Sequence, residues 1–120
     1  MKPNRRRRVV ITGIGVVSPL GMGLTENWDS INRGRIGVQY LDGEEGKRLN
    51  LKAGQIKGFD IRQYLSSRSE IRLMTRESQF AVVAAKMCVS DGGMDLSAQD
   101  SNDMALNLAI ELEDRISMPI

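Results

Sequence analysis

Hydrophobic and polar positions alternate between two periods along this chain, and the changes of period mark out its elements. Val9, Val10 and Ile11 form a β-branched run, which crowds a helix and suits a pleated surface, so a buried strand is predicted there. The run ends at Thr12-Gly13 and passes into a loop through Gly15, Ser18, Pro19 and Gly21. Pro19 lacks a backbone donor and biases Ser18 away from helix, so no helix starts at Gly15. A short helix is predicted from about Glu26 to Arg33. Thr25 is its expected N-cap, Trp28 and Ile31 form its apolar face, and Gly34 closes it.

From Gly34 to Gly58 the pattern dissolves into scattered glycines, charges and single apolar residues. An irregular excursion is expected, with a strand near Leu51 to Ile56. Helical period returns over Ser67 to Asp91, predicted as one long helix. Ile71, Met74, Ser78, Ala81, Ala85 and Cys88 line one face, Arg68, Arg72, Arg76 and Glu77 lie mostly elsewhere, and Gly92-Gly93 supplies the left-handed stop. The small residues Ala81, Ala84 and Ala85 predict close approach of a neighbouring backbone. Further on, Leu106, Leu108, Ile110 and Leu112 alternate with more polar positions, which predicts a strand, although Met104, Leu108 and Leu112 also satisfy helical spacing.

Composition narrows the chemistry. The chain has 120 residues, a net charge of +2 and no histidine, so the commonest metal ligand and general base is missing. No zinc site is expected. Cys88 is the single cysteine, which rules out an internal disulfide, and its position on a helix face predicts a packed small residue rather than a nucleophile. Positive charge gathers at Arg5 to Arg8, but aromatics are only 4% of the chain and the remaining charges are mixed in sign, so nucleic-acid binding is not expected. The apolar runs near the N-terminus are too short for a signal core or a membrane span, and a cytoplasmic location is the expectation.

The opening segment also begins like a dinucleotide-binding loop. That motif requires a third glycine at the mouth of a helix, where the N-terminal amides hold the pyrophosphate. This chain has Ser18 followed by Pro19 instead. The glycines therefore call for an explanation other than a cofactor.

Three ordered blocks provide one. "RRVVITGIGVVSPLG", Trp28 in a short helix ending at Gly34, and "IRLMTRESQFAVVAAKMCVSDGGMD" together resemble the N-terminal part of the β-ketoacyl-acyl carrier protein synthases, the condensing enzymes of fatty acid and polyketide synthesis. The resemblance is good over residues 6–95 and weak over 96–120, and it makes residues 1–120 the N-terminal part of a synthase domain. It implies an α/β fold, the N-terminal portion of a thiolase-like layered α/β/α architecture. Gly13 and Gly15 would then serve backbone turning and close packing, with no cofactor and no metal.

The resemblance implies a decarboxylative Claisen condensation of acyl and malonyl thioesters for the full-length enzyme, an acyltransferase. The family's nucleophilic cysteine, two histidines and lysine lie beyond the matched region, so no catalytic residue is assigned here and the 120 residues alone are expected to be inert. The alternative is a non-catalytic interaction module or a chain-length-factor-like partner subunit of the same fold. Some members dock the acidic acyl carrier protein on basic residues before the long helix; Arg68 and Arg72 match two of those positions, while Ser69 and Leu73 replace basic neighbours. Homo-oligomeric or heterodimeric association is also expected, because the face of Ile71, Met74, Ala81 and Ala85 would otherwise lack partners.

Overall fold

A computed structural model describes residues 8–97 and 101–110. Within them, β1 (Val17–Ser18) and β2 (Gly21–Met22) form a small hairpin that leads into α1 (Leu24–Asn32). Next come β3 (Val38–Tyr40), α2 (Glu44–Arg48) and β4 (Lys52–Gly54), then a single 3-10 turn at Ile61–Gln63. The last two helices are α3 (Arg68–Leu73) and α4 (Arg76–Asp91), and a second 3-10 turn occupies Ser101–Asp103. Both sheets are two-stranded and antiparallel, with Val17 opposite Met22 in one, and Val38, Gln39 and Tyr40 opposite Gly54, Ala53 and Lys52 in the other.

The glycine-rich opening segment owes its position to α4. A Cβ built on Gly15 would sit 1.9 Å from the Ala84 carbonyl oxygen, and one on Gly13 would sit 2.2 Å from that of Cys88. No side chain fits in those gaps. Neither glycine has a positive φ, so their role is close approach and not the turning also expected of them. Hydrogen bonds fix the contact: the Ile14 N–H donates to Asp91 Oδ2 at 2.9 Å, and the Cys88 thiol donates to the Gly13 carbonyl at 3.1 Å.

Polar side chains hold α1 against the hairpin. Asn27 and Ser30 are buried at 6% and 3% exposure, while Trp28 stands 63% exposed. The expected face is inverted. Asn27 Nδ2 donates to the carbonyls of Gly21 at 2.9 Å and Gly23 at 2.7 Å, and its Oδ1 accepts from the Ser18 hydroxyl. Ser30 donates to the Leu20 carbonyl at 2.8 Å. A tight turn leaves its carbonyls pointing inward, and short amide and hydroxyl side chains satisfy them where an apolar residue could not.

Helix ends follow local chemistry. The N-cap of α1 is Gly23, with φ of 85°, and not Thr25, which lies inside the helix. Its C-terminus closes as expected at Gly34, whose φ is 64°: Gly34 N–H donates to Ile31 and Arg35 N–H to Ser30, the paired bonds of a Schellman stop. The end of α4 repeats this arrangement, with Gly93 as the left-handed residue and bonds from Gly93 to Ser90 and from Met94 to Val89.

Other expectations are corrected. Val9 to Ile11 is no strand and is exposed, Val9 at 91%, because no strand among the described residues offers it a ladder. The same reason applies to the alternating tail, where residues 106–110 carry no strand and Leu112 lies outside the described residues, as do Arg5 to Arg7. The expected helix over Ser67 to Asp91 is two helices. Met74 and Thr75 adopt extended ψ values of 132° and 166°, and the Thr75 hydroxyl caps α4 by accepting from the Ser78 N–H at 3.3 Å. The excursion from Gly34 to Gly58 contains the expected strand at Lys52–Gly54, and also β3 and α2.

The buried apolar side chains among the described residues are Val83, which is fully buried, and Ile61. Val83 is not a member of the predicted α4 stripe. Ile71, Met74, Ala81, Ala85 and Cys88 are only half-buried, and Ser78 is exposed.

Three substitutions test this construction by urea unfolding. Gly15→Ala overpacks the α4 backbone and should cost about 3 kcal/mol. Gly34→Ala meets open space but forces a left-handed alanine, and should cost about 1 kcal/mol. Asn27→Leu leaves the turn carbonyls without donors and should cost about 2 kcal/mol, despite its greater hydrophobicity.

Candidate functional site

The candidate docking residues Arg68 and Arg72 lie on α3, just before its junction with α4. Arg68 and Arg72 are one helical turn apart on α3, so their side chains share a face, and both are exposed. No acidic side chain among the described residues pairs with either. Ile71 and the C-capping Met74 are half-buried and anchor the helix. Two guanidinium groups are thereby offered to solvent on a short, supported strut.

Arg76, the first residue of α4, is committed elsewhere. Its guanidinium lies over the rings of Phe59 and Phe80, 4.9 and 5.0 Å from their centroids, and donates to the Ile56 carbonyl at 3.4 Å. Phe59 and Phe80 meet edge to face at 4.8 Å, and Phe59 stacks on Tyr64 at 6.5 Å. Lys86 Nζ donates to the Tyr64 carbonyl at 2.6 Å. Cations that helical spacing places on the outer surface thus tie the segment before α3 to α4. The signal in the sequence is the pairing of the chain's two phenylalanines with an arginine four residues before the second.

Asp60 and Arg62 form a compact pair at the 3-10 turn. Arg62 donates to Asp60 from its backbone N–H at 3.0 Å, from Nε at 2.9 Å, and from Nη2 at 2.9 Å. The side-chain hydrogen bonds from Arg62 hold the Asp60 carboxyl below its ordinary value, aided by the backbone bond, and raise the arginine's own pKa in turn. This pair fixes the turn leading into α3.

Cys88 sits in the last turn of α4, half-buried, with its thiol donating to Gly13. Among the described residues no group of three or more Cys, Asp or Glu side chains is arranged to hold a metal, and no helix is long and apolar enough to cross a membrane. An open hollow of about 290 Å³ lies between the β1–β2 hairpin and the β3–β4 pair, lined by Pro19, Glu26, Gln39, Gln55 and Lys57 among others. Its one hydroxyl, Ser18, is already engaged by Asn27 and the Leu20 N–H.

Two measurements check these assignments. The Asp60 carboxyl, followed by NMR, should titrate below an unstructured aspartate, and Arg62→Ala, which removes the side-chain bonds but keeps the backbone one, should move it back toward the ordinary value. Because the folded pKa is depressed, whatever the pair adds to stability is present above the ordinary aspartate pKa and fades as pH falls through the folded one, below about pH 4. Cys88 should react with a thiol reagent far more slowly in the native protein than in urea. Cys88→Ser keeps a donor for Gly13 and should cost about 1 kcal/mol or less.

Comparison with known proteins places this geometry. The family model described as the β-ketoacyl synthase N-terminal domain matches residues 6–118. The 3-oxoacyl-[acyl-carrier-protein] synthase 2 of Staphylococcus aureus (strain COL) is 32% identical over 95 residues, which are 78% of this chain and 23% of the relative. The enzyme of the same name from Vibrio cholerae is 29% identical over 97 residues, 80% of this chain and 23% of the relative. A protein of Streptomyces violaceoruber named as a granaticin polyketide β-ketoacyl synthase 1 is 35% identical over 103 residues, 85% of this chain and 24% of the relative. The chain spans about a quarter of the length of the curated relatives it matches.

Proposed function

This chain belongs to the β-ketoacyl synthase family, and from that premise we propose that it is the N-terminal segment of a 3-oxoacyl-[acyl-carrier-protein] synthase. The reaction is the decarboxylative Claisen condensation of an acyl and a malonyl thioester, in fatty acid or polyketide synthesis. The match across residues 6–118 carries the reading. Packing supports it too, because glycines that fit only a bare backbone approach to α4 behave as framework and leave no cradle for a nucleotide phosphate. In this reading residues 1–120 are the first part of a thiolase-like layered α/β/α domain that acts in the cytoplasm as a homo-oligomer or heterodimer.

The segment contributes scaffold and docking surface rather than reacting groups. Arg68 and Arg72 receive the acidic acyl carrier protein: two exposed guanidinium groups on one helix face attract a carboxylate-rich partner and fix its register. A second reading is a non-catalytic partner subunit of the same fold. Condensation activity of the complete protein separates the two.

Reversing both charges tests the docking role. In the complete protein, Arg68→Glu with Arg72→Glu should raise KM for carrier-linked substrate about tenfold, leave kcat within a factor of two, and flatten the salt dependence of carrier binding. Free acyl-pantetheine thioesters should react as before. Unchanged carrier kinetics would return both arginines to the status of solvated helix residues.

A further inference from the structure

The outer crest of α3 is not uniformly basic. Successive residues of an α-helix are turned by about 100°, so Leu73 projects roughly opposite Ile71, the residue that anchors α3 inward. The exposures agree: Ile71 is half-buried, and Leu73 is 88% exposed. Leu73 ends the helix, since Met74 turns to an extended ψ of 132°, and the chain then leaves for α4 without folding back over it. Going round the helix, Arg68 and Arg72 flank the crest on one side, Ser69 and Leu73 form it, and Glu70 lies beyond.

Resting on the docking role proposed above for Arg68 and Arg72, we propose that Leu73 is an apolar specificity contact for the acyl carrier protein. The carrier surface that fits this face presents carboxylates to Arg68 and Arg72 and an apolar side chain to Leu73. Charge complementarity selects the occupant. The two unpaired guanidinium groups beside the leucine favour a surface that is acidic around an apolar spot, and disfavour a purely apolar helix, which would leave both cations desolvated without partners. The arginines supply long-range attraction that salt screens. The leucine supplies short-range contact that salt leaves untouched. A synthase with this arrangement therefore discriminates among carriers by the residue opposite Leu73, even where their acidic residues are the same.

The complete protein and a fluorescently labelled phosphopantetheinyl acyl carrier protein provide the test, with affinity measured across a salt series. Leu73→Ala should weaken binding about fivefold at every salt concentration, with the slope of log affinity against log salt unchanged. Leu73→Met should bind as the parent does, and Arg72→Ala should reduce the slope. Because Leu73 is exposed, none of these changes should move Tm. If Arg72→Ala acts as expected while Leu73→Ala binds like the parent, the leucine contact is overturned and the basic docking face stands. If neither substitution matters, docking on α3 fails altogether. A lowered Tm in Leu73→Ala also overturns the proposal, because it would show Leu73 packed within the complete protein and not held out for a partner.

Discussion

Backbone lying directly against backbone is the constraint on which the rest of this segment depends. Gly13 and Gly15 bring the opening chain so near α4 that an added methyl group would overlap helix carbonyls. Once that contact forms, Asp91 can reach the Ile14 amide and the Cys88 thiol can reach Gly13. The position of the β1–β2 hairpin follows, because only one residue separates Gly15 from Val17 with Val16 between them, and the Gly23 amide then bonds back to the Val16 carbonyl at 2.7 Å. A sequence that looked like a phosphate loop works as a contact surface for a helix.

The sequence made some of this legible and concealed the rest for identifiable reasons. Close packing by Gly13 and Gly15 depends on the missing side chain, and the two helix stops at Gly34 and Gly93 on a left-handed backbone that glycine adopts freely, so residue type is a direct signal. The inverted face of α1 was not legible. Trp28 and Ile31 satisfy helical spacing for burial, yet the hairpin offers carbonyls rather than apolar surface, and Asn27 and Ser30 answer that need. Hydrophobic periodicity records which face could be buried, not what its neighbour requires.

The division of the long helix teaches a related point. The apolar repeat runs through Met74 without a fault, so periodicity alone predicts continuity. What interrupts it is Thr75, whose hydroxyl competes for a backbone amide of the next turn and favours a new start. The exposed Val9 to Ile11 run fails in a different way: its β character is local, but a strand exists only with a partner, and the partner is not among the described residues. For the candidate site, Arg68 and Arg72 were legible as exposed cations. The employment of Arg76 between two phenylalanines required the tertiary fold.

The break at Thr75 also makes α3 a dependent element. Six residues form less than two turns, too few for a helix to persist by itself in water, so α3 takes its order from the half-buried Ile71 and Met74 and from the angle at which α4 begins. Thr75 and Gln79, whose amide donates to the Met74 carbonyl at 3.4 Å, set that angle without belonging to the exposed face. Altering them would swing or melt the platform beneath residues left chemically intact. Evolution can therefore retune recognition on this face through the joint behind it, and a substitution survey confined to surface residues would overlook where that freedom resides.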